Sequence, residues 1–461
     1  MTVFRCSRLL PFYSLLVLAL APPPCQAQGK SIGSAYGAIA DSIYRAATGD
    51  SLAYIRLGRL VDTFGSRISG SPALEAAIDW ILAEMSKDGL EHPRGEPVMV
   101  PRWVRGPESI EMVQPRRAPL RMLGLGGSVA TPKAGITAPV LVVSGFDDLE
   151  QRAAEARGKI VLFDTPFTNY VATRRIRSDG PSAAARAGAV ACLIRSVASA
   201  SIRSPHTGTL LYDSTARRIP AAALSVEDAM MLHRFQNRGE RVVVTLRMGA
   251  QTLPDSPSRN VVAEVVGRER PDQVVVVGGH IDSWDVGQGA MDDGGGAVAA
   301  WEAVHLLHRL GLRPRRTVRM VLWTNEENGG RGAAGYYDAH GSERHVLAME
   351  SDNGAFNPSG YIFAGSDAAT ATVREVAGLL DSVGIAGVKR VAESPAADIT
   401  PLVDKGVPGM ELDVDGSRYF WYHHSDGDTL DKLDPAELAR CVAAMAVMAY
   451  VVADLPEPLG R

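Results

Sequence analysis

The sequence predicts an α/β fold with a mostly parallel central sheet flanked by helices, into which a second α/β module is inserted. Three observations carry this expectation. From Asn260 onward, β-branched runs alternate with helical patterns, as a parallel sheet covered on both faces requires. From about Pro107 to Pro254 the texture changes to short strands broken by Gly and Pro. The length, 461 residues, exceeds one ordinary domain. Hydrophobic residues at 46% and charged residues at 22% are globular values, and a formal net charge of −4 argues against a nucleic-acid partner.

The chain opens on an address rather than on fold. Arg5 and Arg8 precede the apolar stretch Leu9 to Ala21, then Pro22-Pro23-Pro24 and small residues for cleavage near Ala27. That stretch is too short to span a bilayer, so an exported chain, secreted or periplasmic and without a membrane span, is expected. The sequence thus divides into a leader (1–27), a first part of the main domain (28–106), the insert (107–254) and a second part of the main domain (255–461).

Ser34 to Leu90 reads as helices around a Gly- and Ser-rich stretch, Phe64 to Ser71, and Val98 to Val104 alternates as a strand. In the insert, Ala138 to Val143, Lys159 to Phe163, Ala189 to Ile194, Ala221 to Leu224 and Arg241 to Leu246 read as strands. Asp148 to Ala156 and Val226 to Asn237 read there as helices. Beyond the insert, Val261 to Val266, Gln273 to Gly278, Thr317 to Thr324, Val346 to Glu350 and Gly409 to Val414 are strands. Helices Gly294 to Leu310, Arg331 to His340 and Ala368 to Val383 lie between them, and Pro435 to Leu455 is a long C-terminal helix. Arg313, Arg315, Arg316 and Arg319 read as a solvated turn and strand edge, and Cys192 and Cys441 as two buried free thiols.

In open sheets of this kind ligands gather at the carboxyl ends of strands. Five acid or imidazole clusters fall there: His280-Ile281-Asp282, Asp292-Asp293 before three glycines, Glu326-Glu327, Asp352, and His423-His424. Crowded carboxylates repel and resist desolvation, so the set needs positive charge, and no Lys or Arg stands among these motifs. Divalent cations supply it, and mixed His and carboxylate donors suit zinc. The residues assign His280, Asp292, Glu327, Asp352 and His424 as ligands of two zinc ions per chain, with Asp292 as the bridge. Glu326, beside a ligand, is the natural general base for a water the metals share, and Asp282 the carboxylate that orients His280.

The run from Gly279-His280-Ile281-Asp282-Ser283-Trp284 to Met291-Asp292-Asp293-Gly294-Gly295-Gly296 resembles the aminopeptidase and glutamate-carboxypeptidase family of two-zinc exopeptidases. The resemblance extends through Trp323-Thr324-Asn325-Glu326-Glu327, Met349-Glu350-Ser351-Asp352 and His423-His424-Ser425-Asp426-Gly427-Asp428-Thr429, and covers nearly the whole mature chain. It implies the zinc exopeptidase fold, with 107–254 as a protease-associated domain. It also implies His280 and Asp352 on one zinc, Glu327 and His424 on the other, and Asp292 between them. The family's histidine-to-Asp-Thr interval selects His424 over His423. A cis bond between Asp292 and Asp293, a secreted homodimer, and activity on dipeptides or short peptides with free ends are implied as well.

Plainer readings account for the other chemistry-bearing residues. His305 and His308 share a helix face without the glutamate of H-E-x-x-H, and Asp285 suits a loop-structuring role. Gly294 to Gly296 match no phosphate-binding pattern, and Gly29-Lys30-Ser31-Ile32-Gly33 fits G-x-S-x-G without a strand before it. Two other functions compete: a zinc amidohydrolase or cyclase acting on a non-peptide or modified amino terminus, and an inactive binding module on the same scaffold. Retention of all five donors plus Glu326 argues against the latter.

Overall fold

The computed structural model describes residues 1–4 and 31–460, so the apolar stretch and cleavage region of the expected leader lie outside the described residues. Ser31, at the centre of the G-x-S-x-G match, caps helix Ile32–Thr48 by accepting the Ser34 N–H, which is a structural use of its hydroxyl.

The main sheet has eight strands, in the order Glu91–Val104, Gln251–Val265, Arg316–Trp323, Arg270–His280, Arg344–Glu350, Gly409–Val414, Pro358–Ala364 and Gly387–Val391. The four middle strands, from Arg316–Trp323 to Gly409–Val414, are mutually parallel. Their β-branched runs are buried throughout because both faces are covered. Val275, Val277, Val318, Met320 and Leu322 face one core, built with helices Ile32–Thr48, Leu52–Phe64, Pro72–Lys87, Gly295–Arg309 and Pro435–Asp454. Their alternates Val274, Val276, Val321 and Trp323 face the other, with Tyr336, Ile399 and Leu402. Pro435–Asp454 is long and apolar enough to cross a membrane, and it is buried as the central helix of the first core.

Two elements differ from expectation for identifiable reasons. Strand Glu91–Val104 begins well before Val98; it is an edge strand, where Pro93, Pro97 and Pro101 remove no needed donor. Arg316 and Arg319 are not solvated. Their strand is interior, so both side chains are buried and find partners inside. Arg316 donates to Gln273 Oε1 at 2.7 Å and to Leu455 O, closing the carboxyl end of the C-terminal helix, while Arg319 joins Glu264 at 2.6 Å and Glu343 at 2.7 Å. Cys192 and Cys441 are buried and unpaired.

The chain leaves the main sheet at Val104 and returns at Gln251, and these two residues pair, so the segment between them grows from a two-strand stem. That segment forms a second eight-stranded sheet, with Val243–Met248, Ile136–Val143, Ile160–Phe163, Ala191–Arg195 and Ala221–Leu224 at its centre. It also carries helix Tyr170–Arg186, which the sequence reading left unassigned. The junction between the sheets is a small core of Ile68, Trp103, Ala250 and Trp284. Gly126 is obligatory there, since a Cβ would stand 2.0 Å from the Trp284 ring. Asp285 locks the same junction by pairing with Arg105 Nη2 at 2.5 Å.

Candidate metal centre

The carboxyl ends of the parallel strands bring the five expected donors into one cluster. His280 ends its strand; Asn325 to Glu327 and Asp352 follow theirs; His424 follows the short helix Tyr419–Tyr422. Asp292 faces two ways. Its Oδ1 lies 3.4 Å from His280 Nε2, which is also 3.2 Å from Asp352 Oδ1. Its Oδ2 lies 3.3 Å from His424 Nε2, which is 3.0 Å from Glu327 Oε2. Donors sharing a tetrahedral zinc at ~2.0–2.1 Å stand about 3.3–3.4 Å apart, so each half of the cluster has the spacing of a metal shell. His280 Nε2, Asp292 Oδ2, Glu327 Oε1 and Asp352 Oδ1 are buried without hydrogen-bond partners. Orphaned atoms of this kind, converging at this spacing, fit two cations bridged by one carboxylate.

The electrostatics agree. Burial raises Glu327 well above the usual carboxylate range, and the neighbouring Asp292 adds to it. Against the effect of burial, His280 and His424 hold Asp292 low, and Asp352 and Asp292 raise His280. Burial and His423 push His424 well below the usual imidazole range, leaving it neutral, as a metal ligand must be. Glu326 is half-buried, and burial with Asp352 and Asp282 nearby pushes it up to about 8, against the pull of His280.

Local structure holds the donors in place. Asp293, in cis linkage to Asp292, accepts the His280 N–H and the Gly296 N–H at 3.0 Å each, tying the strand end to the start of helix Gly295–Arg309. Gly296 makes this approach feasible, because a Cβ there would lie 1.9 Å from Ser351 O. Asp428 accepts the N–H groups of Ala290, Met291 and Asp292 and so fixes the bridging loop. Asn325 and His424 adopt left-handed backbone, at φ 67° and 60°, which turns the chain sharply at both donor loops. For Asp282, the nearest acceptor to His280 Nδ1 is its backbone oxygen at 2.9 Å; its carboxylate stands 3.8 Å away and receives the Glu326 N–H at 3.1 Å. It therefore steadies the proposed base as much as the histidine.

His423 also approaches the bridge, at 3.5 Å from Asp292 Oδ2, and its ring nitrogen lies within 4.8 Å of donor atoms of both Asp292 and His424. It stacks on His424 and packs against Tyr170, Tyr419 and Phe420. Two cations that no motif contained also stand close. Arg67, fully buried below the cluster, donates to four carbonyls: Gly65, Ile281, Gln288 and Gly289. Arg177, from the second sheet's helix, lies with Nη1 3.3 Å from His424 Nδ1. The second module also braces two donors through the backbone, Thr207 N–H to His424 O at 2.9 Å and Thr209 Oγ1 to Glu327 O at 2.7 Å. A cleft of about 520 Å³ opens over the cluster, and Glu326, Asp352, Glu411, Tyr170, Arg174 and Arg177 are among the residues that line it.

The profile of Peptidase family M28 matches residues 260–449, the segment that supplies all five donors. Carboxypeptidase Q of Bos taurus is 49% identical over 431 residues, covering 92% of this chain and 91% of that protein. This chain belongs to peptidase family M28. Human Carboxypeptidase Q is 50% identical over 410 residues, covering 88% and 86% of the two chains. The crystal structure of a Peptidase M28 precursor from Shewanella amazonensis superposes with a TM-score of 0.89 at 35% identity, covering 92% of this chain and 98% of that one. A zinc aminopeptidase from Bacillus subtilis shares the M28 fold at a TM-score of 0.65 and 19% identity, covering 88% and 98%. As an M28 peptidase of this kind, the chain is a metallo-exopeptidase.

Proposed function

We propose that the chain is a secreted or periplasmic two-zinc exopeptidase that hydrolyses dipeptides or short peptides with free termini. The observation that carries this reading is the two-faced Asp292, one oxygen toward His280 and Asp352, the other toward Glu327 and His424. Those five residues would hold the ions, and zinc, when bound, polarises the scissile carbonyl and acidifies water. Glu326 takes the proton of the attacking water at its carboxylate and returns it to the departing amine nitrogen. Asp282 keeps Glu326 at the correct height through its backbone N–H. The 107–254 module serves as a protease-associated domain closing one side of the cleft, and residues 1–27 as the export leader. Resemblance to the family supports a homodimer.

The test combines metal analysis of active protein with a panel of dipeptides bearing free or blocked amino termini. Two zinc ions per chain and strong preference for free termini are expected. Equal turnover of blocked and free substrates overturns the exopeptidase assignment and favours an amidohydrolase; active protein without zinc overturns the metal assignment.

A further inference from the structure

Strand Gly409–Val414 turns Met410 and Leu412 into one core and Glu411 and Asp413 to the opposite face. The two acids are treated differently. Asp413 is paired with Lys389 at 2.8 Å. Glu411 is only 4% exposed and, among the described residues, makes no ion pair. The one hydrogen bond it receives there runs from Asn353 Nδ2 to Oε1, which leaves Oε2 free. Glu350, its neighbour in register on the adjacent strand, has another use: Oε2 accepts the N–H groups of Asp398 and Ile399, at 2.9 and 3.2 Å. Those bonds fix the loop carrying Pro395, Ala396 and Ala397, which line the cleft together with Glu411. Gly409 lets that loop settle on the face Glu411 shares, since a Cβ there would stand 3.2 Å from Pro395 Cδ.

An ionised carboxylate buried without a cation is disfavoured, and burial beside Asp352, Glu350 and Asp413 raises Glu411 well above the usual range. The position therefore calls for a positive group from outside the chain. A peptide offers two, the terminal ammonium and a side-chain cation, and strand register separates them. Glu411 lies beside Glu350, and Glu350 beside Gly278, so Glu411 stands two strand spacings, roughly 10 Å, from the strand that ends in His280. The terminal ammonium of a dipeptide sits on the Cα next to the scissile carbonyl and must stay at the donor cluster. A lysine ammonium reaches roughly 6 Å beyond its Cα, and Pro395, Ala396 and Ala397 offer apolar surface to the methylene stem. Charge also fixes which residue is met. Asp352 lies near both Glu411 and Glu326, and among the described residues no lysine or arginine pairs with any of the three. The free carboxylate of a dipeptide is repelled from this part of the cleft, so the residue against Glu411 is the amino-terminal one.

Resting on the exopeptidase reading, we propose that Glu411 selects substrates whose amino-terminal residue carries a cationic side chain, lysine or arginine, by pairing with it through Oε2. Glu411 is then a specificity-determining residue, one strand beyond the strand that leads to Asp352.

The test compares Lys-Ala with Met-Ala, whose side chains are both unbranched and whose terminal ammonium is the same. In wild type, kcat/KM favours Lys-Ala, and Glu411→Gln should lower the Lys-to-Met ratio by about 10- to 100-fold, the scale of one charge-assisted hydrogen bond, mainly through KM. Glu411→Asp should restore part of it. The ratio of Ala-Lys to Ala-Met should not follow, which assigns the effect to the amino-terminal side chain. Because Met-Ala is an internal reference, the ratio does not depend on how much of a variant is folded. Calorimetry on zinc-loaded Glu326→Gln protein gives a readout without turnover: Lys-Ala binds more tightly than Met-Ala, and adding Glu411→Gln removes the difference. An unchanged Lys-to-Met ratio in zinc-loaded Glu411→Gln overturns the proposal, whether Glu411 binds the terminal ammonium or stays neutral, as does equal binding of the two dipeptides. If wild type cleaves none of the four dipeptides, the exopeptidase reading falls, and calorimetry still decides this one.

Discussion

Glu326→Gln should abolish turnover, keep both metals, and make the metal-free protein more stable at alkaline pH. The three outcomes have separate physical origins. Glu326 lies in no ion pair with a donor histidine among the described residues, and its backbone N–H is held by Asp282 at 3.1 Å, a bond that glutamine retains. The donor set therefore survives. Losing a general base lowers kcat by about 10²- to 10⁴-fold, or ~3–5 kcal/mol of barrier. Stability moves the other way. Burial pushes the Glu326 carboxyl from 4.5 up to about 8, which makes its ionised form unfavourable in the folded, metal-free chain by at most ~5 kcal/mol. Its partial exposure reduces this to ~2–3 kcal/mol. A carboxyl whose folded pKa is raised contributes stability below its unfolded pKa and loses it as pH climbs through the folded value. Glutamine has no charge to lose, so the gap over wild type opens between pH 4.5 and about 8. Urea titration of EDTA-treated proteins at about pH 5 and about pH 9, with metal analysis and steady-state kinetics of the zinc-loaded forms, measures all three. Retention of about a tenth of wild-type kcat, loss of metal, or equal stability at the higher pH would refute the reasoning.

The adjacent Glu327 should behave oppositely: Glu327→Gln, like His280→Ala, should lose metal as well as activity, read by metal content after dialysis against a weak chelator. EDTA-treated wild type should lose stability as pH rises from about 5 to about 8, because Glu326 and Asp428, raised to about 8 and about 7, bind more protons folded than unfolded. Added zinc should reverse that slope, as thermal melting across the range will show. Gly296→Ala places a Cβ 1.9 Å from Ser351 O and should cost several kcal/mol, on the order of 3, with loss of zinc occupancy. Arg67→Met leaves four carbonyls, two buried and two half-buried, without their donor and should destabilise by roughly 3–5 kcal/mol in urea titration.

Three donors, His280, Glu327 and Asp352, were legible because they stand at or just past the end of a strand buried on both faces, as at Val274 to Val277 before His280. Helices Arg331–His340 and Val226–Asn237 and strands Ala221–Leu224 and Gly409–Val414 begin and end where the sequence pattern places them. Charge compensation was not legible. Arg67 and Arg177 meet the cluster through tertiary folding from segments far from the motifs, so no local spacing announces them. Helix Tyr170–Arg186 was hidden by its polarity, three arginines followed by Gly180 and Pro181 before the fourth at Arg186, and by a buried face made partly of Thr173 and Arg177. Arg316 and Arg319 misled for the converse reason: charged residues read as surface unless their partners, here Gln273, Glu264 and Glu343, are known.

The bracing of His424 and Glu327 by Thr207 and Thr209 gives the two halves of the centre different mechanical parentage. His280, Asp292 and Asp352 are anchored within one rigid layer, whereas the other pair is also tethered to a lobe mounted on a double-stranded stalk. If the proposed two ions are bound, any rocking of that lobe would tug at one ion's shell and spare the other's. The two affinities can thus drift apart in evolution or by engineering at the stalk, without touching a single coordinating side chain.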